Sequence, residues 1–149
     1  MQKKNTEIHP NNTAFEWIGR TYNLATAAFE KSTGVTAARW RLLFIIHRHK
    51  SCTQKQLISE IRVDPASITR QVKVLEAEGL IQRDPDTQDS RLTRVMLSPS
   101  GKTYVKRILS TRKAFLERMQ EGVSAEDLTV LTRVLEHMSA NLDDANPLA

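Results

Sequence analysis

The amino-acid sequence predicts a mainly α-helical fold with one small β-hairpin, that is, a winged helix–turn–helix flanked by further helices at both ends. Composition favours helices, because aromatic residues make up only 5% of the 149 residues and glycine and proline number five each. Apolar residues recur every three or four positions along most of the chain, which is the helical period. Near residues 91–97 they alternate instead, as in a half-buried strand.

The first two helices are predicted from their start signals and apolar stripes. Thr13-x-x-Glu16 is a capping box, in which the two side chains satisfy each other's free backbone N–H groups. Apolar side chains then recur up to Gly34, namely Phe15, Ile18, Tyr22, Ala25 and Phe29. A second helix is predicted from Thr36 to about His49, and its nearly all-round apolar character predicts burial.

Two short helices joined by a tight turn are predicted next. Thr53-x-x-Gln56 is another capping box, and one apolar face follows it, formed by Leu57, Ile58 and Ile61. Arg62 and Val63 are expected to form the turn. This helix is therefore the positioning helix of a helix–turn–helix.

The second short helix has signals at both of its ends. Asp64 is a good N-cap, Pro65 suits the first helical position, and Gly79 stands where a left-handed C-terminal glycine is expected. Its buried stripe is predicted to be Ile68, Val72 and Leu75. The opposite face presents small and basic side chains, namely Ala66, Arg70 and Lys73, flanked by Ser67 and Thr69.

That outward face has the chemistry that the major groove of DNA requires. Small residues near the helix start permit close approach, Arg70 suits a bidentate contact with guanine, and Lys73 suits a phosphate. On this helix alone, a solvated basic face is an equally good interpretation. The hairpin that follows favours the interpretation of this face as a DNA-binding surface.

Residues 80–83 and 91–97 read as the two strands of a wing, joined by the polar loop 84–90. Asp89 is expected to hold the guanidinium of Arg91 by a bidentate pair and to direct it outward. An arginine held in this way suits the narrow minor groove of an A·T-rich tract. The alternative is an Asp–Arg pair that only stiffens the turn.

Two helices after the wing complete the chain. Ser98-Pro99 begins a long one, and Ser124 with Asp127 caps the last, whose apolar stripe runs from Leu128 to Leu142. The first and last helices lack cover within one chain, so we expect a single domain, 1–149, with dimerisation helices at 13–33 and 99–143 around a DNA-binding core at 36–98. A homodimer would place two recognition helices on a palindrome. The alternative is a helical bundle within a monomer.

Charge and cysteine usage agree with this interpretation. The net charge is +5 and the isoelectric point is near 9.6, as suits an anionic partner. Basic residues concentrate in the central module, whereas the part after Met119 is acidic. The sequence has a single cysteine, and we find no pattern of a signal peptide or a membrane span. We therefore expect a cytoplasmic protein.

The central stretch resembles the MarR family of bacterial transcriptional regulators. The residues that carry the resemblance are Ser67-Ile68-Thr69-Arg70, Leu75-Glu76-Ala77-Glu78-Gly79-Leu80, Arg83, Asp89-Ser90-Arg91 and Leu97-Ser98-Pro99-Ser100-Gly101. Ser98 stands where the family pattern has threonine, a mild departure because both residues cap helices. The resemblance extends more loosely over nearly the whole chain. It implies a triangular homodimer that binds double-stranded DNA sequence-specifically, as a repressor on a palindromic operator.

Residue by residue, these motifs and the wing assign a set of DNA contacts. The set comprises Thr53, Gln54, Pro65, Ala66, Ser67, Thr69, Arg70, Lys73, Arg83, Asp89, Arg91 and Arg94. The resemblance also implies a small anionic aromatic or phenolic effector between the dimerisation helices and the DNA-binding core. Residues of the matching region that offer ring faces and a cation are Trp17, Arg20, Trp40, Phe44 and His47. The alternative is that these aromatic residues are plain core.

Other classes of function find little support in the sequence. There is no phosphate-binding glycine loop, nucleophile elbow or metalloprotease histidine pair, so neither an enzyme nor a cofactor or metal is expected. His47 and His49 point to nearly opposite sides of a helix, with His47 expected to be partly buried. A redox role for Cys52 is a weaker alternative. The remaining alternative is a winged helix that binds only protein. Binding to duplex DNA distinguishes a DNA-binding protein from this alternative.

Overall fold

The computed structural model describes residues 10–61, 64–89 and 91–143 and contains six helices and three short strands in these ranges. The helices are α1 (Pro10–Thr33), α2 (Ala37–His49), α3 (Gln54–Ile61), α4 (Pro65–Ala77), α5 (Pro99–Met119) and α6 (Ala125–Asp143). The strands are β1 (Cys52–Thr53), β2 (Ile81–Pro85) and β3 (Thr93–Leu97). Contacts within the chain divide it into two compact units, Met1–Phe115 and Leu116–Ala149. The predicted mainly helical fold with a wing is confirmed.

Most of the predicted helix starts are confirmed by their side-chain hydrogen bonds. At α3, the Thr53 backbone N–H donates to Gln56 Oε1 (2.8 Å) and the Gln56 N–H donates to Thr53 Oγ1 (3.2 Å). At α4, Asp64 Oδ2 accepts from the Ser67 N–H at 2.9 Å. At α6, Ser124 Oγ accepts from the Asp127 N–H at 3.0 Å. These caps satisfy N–H groups that a helix otherwise leaves free.

The predicted start of α1 was wrong. The helix already begins at Pro10, so Thr13 lies inside it and the Thr13–Glu16 pair is not its N-terminal cap. Proline favours the first helical position because it has no N–H to leave unpaired, and this signal prevails over the capping-box pattern. The predicted turn residues Arg62 and Val63 lie outside the described residues.

A strand that the sequence did not predict completes the wing. β3 lies in the middle of the antiparallel sheet, with β2 on one side and the two-residue β1 on the other. β1 pairs Cys52 with Val95 and Thr53 with Arg94. Because Thr53 also caps α3, the sheet joins the wing directly to the helix–turn–helix.

The core of the first unit lies beneath the helix–turn–helix and the sheet. Its fully buried members come from α2, α3, α4, β3 and α5, and include Leu42, Leu43, Ile46, Leu57, Ile68, Val72, Leu75, Val95 and Val105. The predicted inward stripe of α4 is therefore confirmed. Burying a side chain of this size contributes about 1.5–3 kcal/mol, so the core fixes which face of α4 stays outside.

The start of α5 is fastened to the corner that follows α4. Gly79, with φ of +71°, ends α4, and its carbonyl oxygen accepts hydrogen bonds from the hydroxyls of Ser98 (2.6 Å) and Ser100 (2.7 Å). The Leu80 carbonyl accepts from the Ser98 N–H at 3.0 Å. Gly101 is buried directly against that carbonyl. We call this group, residues 79–80 and 98–101, the corner clasp.

Two helices keep large apolar side chains exposed. On α1 these are Phe15, Trp17, Ile18, Tyr22 and Leu24, and on α6 they are Val130, Leu131, Val134, Met138 and Leu142. Exposed apolar surface on this scale is typical of a surface that meets a partner. Within the described ranges, no helix has both the length and the apolar character that crossing a membrane requires.

Candidate nucleic-acid interface

The outer face of α4 is the centre of the candidate interface. Ile68, Val72 and Leu75 are buried, which leaves Ala66, Arg70 and Lys73 exposed along the opposite side. The predicted basic face therefore exists, and small side chains stand at its beginning. An exposed helix of this kind, held from behind by a core, is the geometry with which helix–turn–helix proteins enter the major groove.

Three of the predicted contact residues are engaged within the module. Thr69 Oγ1 donates to the Pro65 carbonyl at 2.9 Å and accepts from Gln54 Nε2 at 2.6 Å. Thr53 is likewise occupied by its capping box. These bonds join the N-terminus of α3 to the first turn of α4, so these side chains fix the angle between the two helices.

The basic residues of the module fall into two groups, those paired with a carboxylate and those without such a partner. The pairs are Arg39–Glu78, Arg48–Glu60, Arg83–Glu76 and Arg94–Asp86. Within the described part of residues 48–98, the basic residues without a carboxylate partner are Lys50, Lys55, Arg70, Lys73 and Arg91. We call these five the unpaired cations. The sequence pattern did not distinguish the two groups.

Arg83, a predicted DNA contact, pairs with Glu76 of the recognition helix. The hydrogen bond from Arg83 lowers the pKa of the Glu76 carboxyl and raises that of the guanidinium. Both side chains are about one-third exposed, so the pair is worth little in stability. Its effect is to tie β2 to α4, and the DNA contact of Arg83 stays a prediction.

The wing loop is organised by a residue that the sequence analysis did not select. Asp86, only 8% exposed, accepts hydrogen bonds from the backbone N–H groups of Gln88 (2.7 Å) and Asp89 (3.0 Å) and pairs with Arg94 Nε. These bonds, the one from Gln88 first, lower the pKa of Asp86 to about 2. The short Asp-x-x turn pattern at 86–89 is a signal that would have indicated it.

The contact expected between Asp89 and Arg91 has a different form. Asp89 Oδ1 accepts from the backbone N–H of Arg91 at 3.0 Å, so the carboxylate fixes the main chain instead of the guanidinium. The expected bidentate pair was wrong, because a carboxylate two residues before an N–H closes a local turn more readily than it reaches a long side chain. The Arg91 side chain is exposed.

The structure describes the surroundings of Cys52, His47 and His49. Cys52 is 1% exposed, and burial, reinforced by the Glu60 carboxylate, raises the pKa of its thiol to about 11. His47 is exposed, contrary to the expected partial burial, and His49 pairs with Glu60. Among the residues that the structure describes, no three histidine, cysteine or acidic side chains are grouped closely enough to bind a metal ion.

The predicted effector residues fall into separate groups. Trp40 packs at a tilt against Phe44, with ring centroids 5.3 Å apart, and against Phe29 at 6.0 Å. The Arg112 guanidinium lies 5.9 Å from the Phe44 ring. Trp17, on α1, is 56% exposed and lies under Arg20 at 5.0 Å. His47 takes part in neither of these ring contacts. Arg112 was missed because only the fold brings α5 beside α2.

Comparison with known proteins agrees with this geometry. The sequence profile of the MarR family matches residues 35–93, which span α2 to the start of β3. An uncharacterised HTH-type transcriptional regulator of Bacillus subtilis, YdgJ, is 30% identical over 78% of this chain and 71% of its own length.

Solved structures show the same fold. A MarR mutant from E. coli in complex with operator DNA has a TM-score of 0.75 at 18% identity, covering 92% of this chain and 99% of that one. The organohalide-sensing regulator RdhR in its 2,4-dichlorophenol-bound form has a TM-score of 0.79 at 16% identity, covering 95% of this chain and 86% of that one. With its helix–turn–helix, wing and basic outer face, the chain belongs to the MarR family of DNA-binding transcriptional regulators.

Proposed function

We propose that the protein is a cytoplasmic homodimeric repressor that binds a palindromic operator and is released by a small anionic aromatic compound. The observation that carries the DNA contacts is the exposed row Ala66, Arg70 and Lys73 on a helix fixed from behind by the core. Arg70 reads a guanine in each half-site, Lys73 binds phosphate, and Arg91 enters the flanking minor groove.

The test of specificity compares Arg70→Ala with Lys73→Ala. Arg70→Ala is expected to cost about 1–3 kcal/mol on the operator and to relax base preference at one position per half-site. Lys73→Ala is expected to weaken operator and random DNA to the same degree. Footprinting upstream of the protein's own gene supplies the operator. An unchanged operator-to-random ratio for Arg70→Ala would remove Arg70 as a base reader.

The homodimer rests on the exposed apolar side chains of α1 and of α6. Phe15 is 73% exposed on α1, and Leu142 is 76% and Leu131 52% exposed on α6. An isologous interface covers such a surface on both copies at once. Sedimentation velocity is expected to give a dimer for the wild type and a monomer for Leu131→Asp. Thr129→Asp, two residues away and so on the opposite face of α6, is the matched control and should remain dimeric.

The effector proposal rests on the ring group of Trp40 and Phe44 with Arg112 beside it. The rings offer faces for an aromatic ligand and the guanidinium offers a partner for its carboxylate. RdhR, a protein of the same fold, was solved with a bound phenol. Such a ligand shifts the protein toward a DNA-free state only through its higher affinity for that state.

The two tryptophans make this proposal testable with salicylate as the probe. Trp17→Phe leaves Trp40 as the only tryptophan and Trp40→Phe leaves Trp17. Salicylate is expected to quench the Trp17→Phe protein and to release its DNA over the same concentration range, and to leave the emission of the Trp40→Phe protein nearly unchanged. Arg112→Gln should weaken both responses. If salicylate quenched only the Trp40→Phe protein, in which Trp17 remains, the binding site would lie on α1. If neither protein responded, the alternative that these aromatic residues are only part of the core would be favoured.

A further inference from the structure

The Asp86 carboxylate lies at the centre of the wing loop and contacts both sides of it. On one side it accepts the N–H groups of Gln88 and Asp89, and on the other it pairs with Arg94 of β3. Its own backbone N–H donates to the Leu92 carbonyl at 2.8 Å. The side chain of Asp86 is 5% exposed, whereas that of Arg94 is 42% exposed.

These contacts determine where Arg91 is held. The backbone N–H of Leu92 donates to the Asp89 carbonyl at 2.9 Å, and the N–H of Arg91 donates to Asp89 Oδ1 at 3.0 Å. Asp89 is itself held by Asp86, so the main chain that carries Arg91 is fixed through the Asp86 carboxylate. A buried carboxylate is tolerated only when its oxygens accept hydrogen bonds. Here two backbone N–H groups and one guanidinium donate to the Asp86 carboxylate.

We propose that Asp86 is the positioning residue of the wing, and that Arg94 acts as its counter-ion and not as a DNA contact. This inference rests on the proposed entry of Arg91 into the minor groove. Asp86 does not touch DNA in this proposal. It lowers the conformational freedom of the loop before binding. The loop therefore loses less conformational entropy when Arg91 contacts the duplex.

Two substitutions of equal charge test the proposal. Asp84→Asn and Asp86→Asn each remove one negative charge from the wing, but Asp84 is exposed and has no ion pair among the described contacts. Charge alone should make both variants bind DNA slightly more tightly. Asp86→Asn is expected to bind the operator about tenfold more weakly, the size of one lost side-chain contact. An affinity of Asp86→Asn equal to or above that of Asp84→Asn would overturn the proposal.

Further variants separate positioning of the wing from general loss of stability. Asp86→Asn in an Arg91→Ala background should cause no additional loss, because there is then no side chain to position. Arg94→Gln should match Asp86→Asn, and the double variant should be no weaker than either single one. A further loss in the double variant would show that Arg94 binds DNA itself.

Amide hydrogen exchange supplies a readout that does not depend on DNA. Exchange at Gln88 and Asp89 is expected to accelerate in Asp86→Ala, which removes the Oδ1 that accepts from both N–H groups, whereas exchange in the core strands stays unchanged. If Arg91→Ala had no effect on operator affinity, the proposed minor-groove contact would fail. If Arg91→Ala weakened binding and Asp86→Asn did not, only the positioning role would fail.

Discussion

Gly101 offers the most direct test of the corner clasp. A Cβ atom added at this position would lie 1.9 Å from the Leu80 carbonyl oxygen, whereas real Cβ atoms essentially never come within 3.0 Å of another heavy atom. Gly101→Ala must therefore move α5 and the Leu80 backbone apart by roughly 1 Å. That shift lengthens the Ser98 N–H bond to the same carbonyl from its present 3.0 Å beyond hydrogen-bonding distance.

The expected cost follows from these two effects. Overpacking against a fixed neighbour costs about 1–3 kcal/mol, and losing roughly two hydrogen bonds of the clasp adds about 1 kcal/mol each. We expect Gly101→Ala to lower the free energy of unfolding by about 3–5 kcal/mol. With a urea dependence of about 2 kcal/mol per molar, the midpoint of unfolding should fall by roughly 1.5–2.5 M.

Gly19→Ala is the matched control, because Gly19 also lies within a helix but has nothing within 4 Å of its would-be Cβ. It should raise stability by about 0.5–1 kcal/mol, the ordinary gain of alanine over glycine in a helix. Unfolding is followed by circular dichroism at two protein concentrations, so that dissociation of subunits is separated from unfolding of the chain. If Gly101→Ala unfolded at the same urea concentration as the wild type, the reasoning from the Leu80 contact would be refuted.

Three further predictions concern single residues. Cys52, with the pKa of its thiol raised to about 11, should react with a disulfide reagent at pH 8 orders of magnitude more slowly in the folded protein than in urea, and fast native reaction would contradict its burial. Lys50 has φ of +62°, so Lys50→Gly should raise the free energy of unfolding by about 0.5–1 kcal/mol, and a destabilised variant would show that the conformation carries no strain. Because the pKa of Asp86 is lowered to about 2, its carboxylate stabilises the fold above its unfolded pKa near 3.8 and loses this effect as pH falls toward 2. The difference in free energy of unfolding between wild type and Asp86→Asn should accordingly be constant above about pH 5 and shrink below about pH 4. Urea unfolding at a series of pH values measures this difference.

The elements that local chemistry specifies were predicted well. α3 and α4 begin where Thr53 and Asp64 cap them, because a capping side chain and its N–H partner lie within three residues of each other. Gly79 ends α4 in the left-handed conformation that a C-terminal glycine favours. In each case the interaction that decides the structure lies within one turn of helix and is visible in the sequence.

Features that depend on distant partners were not predicted. β1 has two residues and no period of its own, and it exists because Cys52 and Thr53 meet β3 some forty residues later. Three aspartates precede Arg91 in the wing, and only the return of β3 brings the Arg94 guanidinium to Asp86. Pairing of cations follows the same rule, since no sequence period joins Arg83 to Glu76.

The division of the basic residues into paired and unpaired cations sets how the protein should respond to ionic strength. DNA binding releases about 0.9 counterions for each phosphate that a cation neutralises. If only the five described unpaired cations of each subunit met phosphates, the slope of log affinity against log salt would be about −9 for the proposed dimer. If Arg48, Arg83 and Arg94 exchanged their carboxylates for phosphates, the slope would approach about −14. Keeping these arginines paired with carboxylates would therefore make DNA binding less sensitive to ionic strength than the basic composition suggests.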